Sequence, residues 1–190
     1  KDSSLTVGLN LLKNGEGDAY ISAGSTGALL AAGTLLVKRI RGIRRAAMGP
    51  AVPVLGGRAI LCDCGATADC TPEYLLQFAF LGSFYARKVR GIENPRVGLL
   101  NIGTEDTKGT PLQKAAHALL TKAAQQGVLN FIGNVEPRDV PHGVCDVLVA
   151  DGFAGNVVLK LTEGLASAFM SMFKDAFMAN LVSKISAMML

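Results

Sequence analysis

Short apolar runs alternate with longer segments of helical periodicity along this chain. The apolar runs predict strands at 19–22, 59–64, 96–102, 130–133 and 145–150. Apolar residues three and four positions apart predict helices over 4–13, 25–40, 72–89, 111–126 and from 157 onward. The segment 47–54 is a further strand candidate, but Pro50 and Pro53 restrict it to a sheet edge or an irregular path. This alternation predicts an α/β sandwich with a largely parallel or mixed sheet.

Glycines and small polar residues follow four of the predicted strands. These segments are AGSTGA (23–28), GATAD (65–69), GTEDTKG (103–109) and DGFAGN (151–156). Ligands of parallel α/β sheets bind beyond the carboxyl ends of the strands. The first and last segments lead directly into predicted helices, whose N-termini attract anions, and Lys108 adds a cation. The glycines therefore predict that backbone amides approach an anion closely, most simply a phosphate.

The composition narrows the class of protein. Hydrophobic residues make up 49% of the chain and charged residues 18%, which excludes a disordered protein. The net charge of +4 favours an anionic partner, but it does not distinguish nucleic acid, membrane and acidic protein. Residues 38–45, KRIRGIRR, contain five basic residues in eight. Such a run is either a solvated face or a docking surface for an acidic partner.

The motifs of several enzyme classes are missing from the sequence. It has no G-x-G-x-x-G, no P-loop and no G-x-S-x-G, so dinucleotide, P-loop and serine-hydrolase chemistry are not indicated. His117 and His142 do not follow a strand–glycine junction, and we expect both to be structural or solvated. Asp63, Asp69 and Asp151 end or follow strands. They are candidates to orient donors or, as the remaining alternative, to bind a metal, and Asp69 could instead cap the helix that follows Thr71. We predict neither a metal nor a cofactor.

Four cysteines, at 62, 64, 70 and 145, do not have the spacing of a disulfide framework or of a typical zinc site. A reducing, cytoplasmic setting is therefore expected. Cys62 and Cys64 stand two residues apart on a predicted strand. We expect them to face the same side of the sheet as small core residues.

The segment 164–190 is predicted to be a projecting apolar helix. Its stripe at helical spacing consists of Leu165, Phe169, Met172, Phe173, Ala176, Phe177 and Leu181. The stripe favours contact with a second copy in a dimer, and Lys174 and Lys184 favour contact with anionic lipid heads. The longest uncharged stretch has ten residues, too few to span a bilayer. The chain starts without Met and stops inside an apolar run, so we expect a single α/β domain cut from a longer protein.

Five segments, in this order, resemble the phosphate acyltransferases of bacterial phospholipid synthesis, the PlsX family. They are ISAGSTGAL, CDCGATAD followed by PEYLLQFAFLGS, NPRVGLLNIGTED-x-KG, NFIGNVEPRD and DGFAGNVVLKLTEG. The resemblance implies a three-layer α/β/α sandwich like that of isocitrate and isopropylmalate dehydrogenases. It also implies a homodimeric, cytoplasmic and peripherally membrane-associated enzyme. That enzyme would move a fatty acyl group from acyl carrier protein to inorganic phosphate, with no nucleic acid as partner.

The resemblance also implies site residues. Asn156 and Lys108 are the candidates for catalysis, because an amide and an ammonium group stabilise an oxyanion. A helix N-cap and a solvated loop lysine are the respective alternatives. The residues expected to bind phosphate or substrate are Gly24, Ser25, Thr26, Gly27, Gly65, Thr67, Asp69, Thr104, Asp151, Gly152 and Gly155. The residues expected to dock the carrier protein are Lys38, Arg39, Arg41, Arg44 and Arg45.

The sequence departs from the family pattern at two positions and leaves two rival functions open. Ser25 and Thr67 replace family asparagines, and both keep a hydrogen-bonding group on a shorter side chain. One rival is acyl transfer involving coenzyme A, as in phosphotransacetylases. The other is a non-catalytic module that binds a membrane or an acidic protein, which leaves the glycine-rich segments unexplained.

Overall fold

The structure, a computed structural model, describes residues 3–179. Its helices are Ser4–Lys13 (α1), Thr26–Ala32 (α2), Pro72–Arg90 (α3), Pro111–Gln125 (α4) and Gly152–Met178 (α5). Its strands are Ala51–Val54 (β1), Gly57–Cys62 (β2), Val97–Leu100 (β3), Phe131–Val135 (β4) and Val147–Val149 (β5). A π-helical turn, Gly33–Val37, continues α2, and a 3-10 turn, Val140–His142, lies between β4 and β5.

The strands form a mixed sheet in the order β1-β2-β5-β3-β4. β2, β5, β3 and β4 run parallel, with Ile60 and Val97 both paired to Val147 of the central strand β5. β1 is antiparallel to β2 and lies at the edge. Pro53 is therefore tolerated in β1, where a missing N–H costs least. The predicted largely parallel sheet and the edge position of the segment 47–54 are confirmed.

Helices cover both faces of the sheet. On one face, α3 and α4 bury Phe78 and Leu120 against β2, β3 and β5. α3 lies so close to β5 that a Cβ placed at Gly82 would stand 2.5 Å from Val147 Cγ1. On the other face, the first turns of α5 pack Val158 and neighbouring residues against a second cluster around Leu148. The three-layer α/β/α arrangement is thus confirmed.

Three elements differ from the prediction in more than a few residues at a strand end. The segment 19–22 is not a strand: Ile21 is 92% exposed, and no strand within residues 3–179 pairs with this segment. An apolar run becomes a strand only where a neighbour supplies hydrogen bonds. The helix predicted over 25–40 becomes π-helical at Gly33 and ends before Lys38, whose φ is 75°. α5 begins at Gly152 rather than at 157, because Asp151 caps it.

The cysteines are free, and three of them are buried. Cys62 belongs to the core under α3, whereas Cys64 belongs to the core on the opposite face. The expectation that the two share a side is wrong, because β2 ends at Cys62 and strand alternation stops there. Burial raises the pKa of Cys64 and of Cys145 to about 11, which keeps both thiols protonated. The predicted role of Cys62 and Cys64 as small core residues is confirmed.

The far half of α5 leaves the body of the molecule. Every residue from Glu163 to Ala179 is exposed, including Phe169, Phe173 and Phe177 of the predicted stripe. Leu181, Lys184 and the rest of the predicted helix to 190 lie outside the described residues. None of the helices within 3–179 is long and apolar enough to cross a membrane.

Candidate functional site

The strand order places three of the four glycine-containing segments side by side. β2, β5 and β3 are consecutive parallel strands, so the segments that follow them, 63–70, 151–156 and 101–109, leave the same edge of the sheet. Neighbouring strands lie about 4.8 Å apart. The segment after β5 therefore stands between the other two and close to both.

The buried carboxylate of Asp63 organises the segment after β2. It accepts N–H groups from Met48 (2.8 Å), Cys64 (2.7 Å), Ala66 (3.1 Å) and Thr67 (2.7 Å). Its side chain is inaccessible to solvent, and backbone amides are the groups that stabilise a buried carboxylate. Asp63 thus fixes the course of 64–67 and ties it to the segment before β1. Of the two roles that the sequence left open for Asp63, orienting donors and binding a metal, its contacts match the first.

The N-terminus of α5 rests directly on the segment that Asp63 organises. Gly152 N–H donates to the carbonyl of Thr67 at 2.8 Å. A Cβ placed at Gly152 would lie 2.6 Å from that carbonyl oxygen, and one placed at Gly155 would overlap the carbonyl oxygen of Asp63. Both glycines are buried. They are needed because only a residue without a side chain lets the helix approach this closely.

This contact changes the interpretation of DGFAGN. Asp151 is the N-cap and accepts Ala154 N–H at 2.8 Å. Gly152 N–H and Gly155 N–H donate to the carbonyls of Thr67 and Asp151. The N–H groups of Gly152, Ala154 and Gly155 thus have partners within the protein, and the approach of backbone amides to an anion stays a prediction at this junction. The positive end of the helix dipole remains at this edge of the sheet.

Asn156 is exposed and lies beside the segment after β2. A Cβ placed at Gly65 would stand 3.8 Å from Asn156 Cγ, so the amide lies over Gly65. Asn156 is inside α5, five residues beyond the N-cap Asp151, which rules out the N-cap alternative for it. Its amide is therefore available at the sheet edge, beside Gly65.

Lys108 lies one strand further along the edge. The segment 101–109 carries it after β3, and both Lys108 and Thr104 are exposed. Its stem passes over Gly103, where an added Cβ would stand 2.9 Å from Lys108 Cγ. None of the ion pairs found within residues 3–179 involves Lys108. The ammonium group is consequently free to meet an anion that binds beside β5.

The first predicted phosphate segment lies in different surroundings. Gly24, Ser25, Thr26 and Gly27 are all exposed. Ser25 caps α2 by accepting Ala28 N–H at 3.4 Å, and the Ser22 hydroxyl accepts Gly24 N–H at 3.1 Å. Within the described residues, the hydrogen bonds of 22–28 stay local. Within residues 3–179, no hydrogen bond joins this segment to the other three.

The basic run 38–45 is exposed and anchored to α3. Arg44 N–H donates to Gln77 Oε1 at 2.8 Å, and Gln77 Nε2 donates to the carbonyl of Gly42 at 3.2 Å. The Arg45 guanidinium lies 5.9 Å from the centre of the Tyr74 ring. No ion pair within 3–179 neutralises the run. The charge therefore faces solvent on a fixed backbone.

The remaining candidates have ordinary roles or no observed partner. His117 packs edge-on against Phe131 at 5.2 Å, and His142 ends an exposed 3-10 turn. Asp69 is exposed before α3. No cluster of His, Cys, Asp and Glu within 3–179 could hold a metal.

Two buried asparagines, Asn101 and Asn134, were missed by sequence analysis. Each makes a side-chain hydrogen bond to the backbone of 105–108. The available sequence pattern was an amide residue at the end of an apolar run, which is too common to identify either one.

Comparison with known proteins places the chain in a family. A family model described as "Fatty acid synthesis protein" matches residues 1–190. The phosphate acyltransferase of Alkaliphilus oremlandii is 52% identical over the whole chain, which covers 56% of that protein. That of Bacillus cereus strain B4264 is 51% identical over the whole chain, which covers 57% of it. The chain thus spans little more than half the length of these relatives.

Solved structures show the same fold at low identity. A phosphotransacetylase from Streptococcus pyogenes aligns with a TM-score of 0.66 and 21% identity over 85% of this chain and 55% of its own. A branched-chain phosphotransacylase from Enterococcus faecalis aligns with a TM-score of 0.59 and 18% identity, over 82% of this chain and 62% of its own. These likenesses support the fold alone.

Proposed function

The chain belongs to the phosphate acyltransferase family, and on this premise we propose that the full-length protein transfers a fatty acyl group from acyl carrier protein to inorganic phosphate. The product is acyl phosphate for phospholipid synthesis. The observation that supports this most is the sheet edge at which Asn156 and Lys108 lie on segments that follow the neighbouring strands β5 and β3, together with the positive end of α5.

The reaction suits a site without a general base. Phosphate is already anionic near neutral pH, so an oxygen of phosphate attacks the thioester carbonyl carbon directly. A C–O bond forms, the tetrahedral oxyanion collapses, and the C–S bond breaks. The carrier leaves as a thiolate and takes up a proton from solvent. The protein has to hold two anions together and stabilise the oxyanion.

Each side chain has a distinct role in this proposal. The Asn156 amide donates a hydrogen bond to the oxyanion, and Lys108 offsets the charge shared by phosphate and oxyanion. The Thr104 hydroxyl and the exposed Gly65 backbone hold phosphate from either side. The buried Gly152 and Gly155 act indirectly, because they bring α5 onto the segment that carries Gly65.

The basic run 38–45 is the proposed docking surface for acyl carrier protein. The carrier is acidic, and exposed arginines on a fixed backbone suit carboxylates and the phosphate of its pantetheine arm. The run also leads towards the site, because Met48, shortly after it, donates to Asp63 at 2.8 Å. A carrier bound to the run would therefore deliver its thioester close to the segment 63–67.

The exposed half of α5 is the proposed contact with a second copy and with the membrane surface. Phe169, Phe173 and Phe177 are too exposed for a helix that acts alone in water. A homodimer would bury part of this surface, and Lys174 would meet anionic lipid heads. The enzyme would then be cytoplasmic and peripherally attached. Changing the three phenylalanines to Ser in the full-length protein tests both contacts, by sedimentation and by liposome flotation.

The activity is tested by supplying the full-length protein with acyl carrier protein thioester and phosphate. Hydroxylamine trapping then measures the acyl phosphate formed. We expect product with the carrier thioester and far less with acyl coenzyme A. Product from coenzyme A alone would favour the phosphotransacetylase-like alternative. No product from either donor, with carrier binding intact, would favour a non-catalytic module.

A further inference from the structure

Two buried asparagines hold the segment that carries Lys108. Asn101 ends β3 and is 5% exposed, and Asn134 lies on the neighbouring strand β4 and is 6% exposed. Buried amides are costly unless they make hydrogen bonds. Both asparagines direct their Nδ2 donors to the same short stretch of backbone, residues 105–108.

Asn101 closes the segment on itself. Its Nδ2 donates to the carbonyl of Lys108 at 3.2 Å, and its Oδ1 accepts Ile102 N–H at 2.8 Å. The side chain therefore joins the first and last parts of the segment across seven residues. A Cβ placed at Gly109 would stand 2.6 Å from Asn101 Oδ1. Because Gly109 has no side chain, the space beside it is open to the side chain of Asn101.

Asn134 ties the same segment to the sheet. Its Nδ2 donates to the carbonyl of Glu105 at 2.7 Å, across 29 residues of sequence. Its Oδ1 is buried and accepts no hydrogen bond from any described residue. The bond to Glu105 is thus what orients this amide. An asparagine at this position fixes the middle of the segment relative to β4.

Gly103 completes the arrangement around the lysine. The stem of Lys108 passes so close to Gly103 that an added Cβ would stand 2.9 Å from Lys108 Cγ and 2.9 Å from Glu105 Oε2. The backbone of Lys108 is held by Asn101, and its stem lies against Gly103. Asn101 and Gly103 therefore fix where the Lys108 side chain starts and the path of its stem.

We propose that Asn101 and Asn134 are positioning residues that aim Lys108 at the reacting acyl group and phosphate. The proposal rests on the role of Lys108 in the proposed function. It predicts that loss of either amide weakens turnover through Lys108, with little change in carrier binding. A misplacement of about 1 Å costs on the order of 100-fold in rate.

The test uses Asn101→Leu and Asn134→Leu in the full-length protein, with Asn130→Leu as the matched control. Asn130 also donates from Nδ2 to a loop carbonyl, that of Asn94 at 3.2 Å, but at the opposite end of β4. We expect kcat to fall roughly 10–100-fold in the two site variants, with the KM for carrier within about 3-fold of wild type. Amide hydrogen exchange over 102–109 should accelerate about 5–10-fold, as for one lost hydrogen bond. The control should leave kcat and this exchange unchanged.

A second pair of measurements separates positioning from general damage. In a Lys108→Ala background, Asn134→Leu should lower kcat no further, because both changes then act on the same group. Gly103→Ala removes no hydrogen bond but displaces the Lys108 stem, and it should also lower kcat without changing the KM for carrier. Fully additive losses, or unchanged exchange over 102–109, would overturn the proposal.

The outcomes also distinguish this proposal from the function on which it rests. If Lys108→Ala abolishes turnover while both asparagine variants retain wild-type kcat, only the positioning proposal fails. If Lys108→Ala retains wild-type kcat, the proposed role of Lys108 fails, and the positioning proposal fails with it.

Discussion

Two glycine-containing segments that lead into helices have similar composition and different surroundings. AGSTGA precedes α2 and DGFAGN precedes α5, each with two glycines and a capping side chain, Ser25 or Asp151. At α5 both glycines are buried against the segment 63–67. At α2 an added Cβ would meet nothing within 4 Å of Gly27 and only the Ser22 hydroxyl, at 3.4 Å, beside Gly24.

The difference shows that similar glycine-rich composition does not imply similar packing. The two glycines in the first turn of α5 are required by contacts inside the protein, and they place Asn156 by bringing the helix onto Gly65. No described residue approaches Gly24 or Gly27 closely enough to require a glycine there. Composition alone does not distinguish the two cases.

The strongest test of this comparison is a pair of alanine substitutions. Gly155→Ala should destabilise the protein by about 3 kcal/mol, because its Cβ would meet the backbone of Asp63, which cannot move away easily. Gly27→Ala should be neutral or stabilising by up to about 1 kcal/mol, because it lies in a helix with open space beside it. Urea denaturation of the full-length variants measures both. Similar midpoints for the two would contradict the comparison.

The next test concerns the carboxylate beneath the α5 junction. Asp63→Asn keeps one acceptor oxygen and turns an NH₂ group towards backbone donors, so either Thr67 N–H or both Met48 N–H and Cys64 N–H lose their partner. We expect a loss of about 2 kcal/mol in the free energy of unfolding. Asp151→Asn is the control, because asparagine caps helices as well as aspartate does. A loss at Asp151 as large as that at Asp63 would show that the buried carboxylate has no special role.

A smaller effect is expected from reversing the charge of the basic run 38–45, which follows α2. Changing Arg41, Arg44 and Arg45 together to Glu should raise the KM for acyl carrier protein about 10-fold and leave the KM for phosphate unchanged. The wild-type KM for carrier should rise with salt, because exposed charges are screened. A salt-insensitive wild-type KM, unchanged in the variant, would place carrier docking elsewhere.

The smallest effect separates the two caps. Asp151→Ala should lower the free energy of unfolding by about 1 kcal/mol, because the Asp151 carboxylate accepts Ala154 N–H at 2.8 Å. Ser25→Ala should lower it less, because the bond from Ala28 N–H to the Ser25 hydroxyl is 3.4 Å long and exposed. Thermal unfolding resolves the two. A larger loss at Ser25 would mean that the α2 junction is the better ordered one.

Sequence predicted best what local chemistry determines. α3 and α4 begin at Pro72 and Pro111, as predicted, because proline favours the first helical position, and at α4 the Thr110 side chain also caps the helix. The strand predicted at 19–22 was wrong, because a strand forms only beside a partner strand, and hydrophobic periodicity gives no information about that partner. The start of α5 was placed late, because two glycines and Asn156 lower helix propensity while tertiary contact overrides it.

The candidate site divides in the same way. Lys108, Asn156 and Asp151 were found from the resemblance and from their place after strands. Asn134 could not be predicted, because its hydrogen bond to Glu105 joins positions 29 residues apart. The packing role of Gly155 also depends on its distance from Asp63, which only the folded structure supplies.

The most direct test of the central claim is the kcat for acyl phosphate formation in full-length Asn156→Ala. Lys160→Ala is the matched control, because Lys160 is one turn further along α5, is exposed, and within residues 3–179 pairs only with Glu163, at 2.8 Å. The proposed oxyanion role predicts a fall of about 100-fold or more for Asn156→Ala, with unchanged unfolding and carrier binding, and wild-type kcat for Lys160→Ala. A kcat for Asn156→Ala within about 3-fold of wild type would contradict the account.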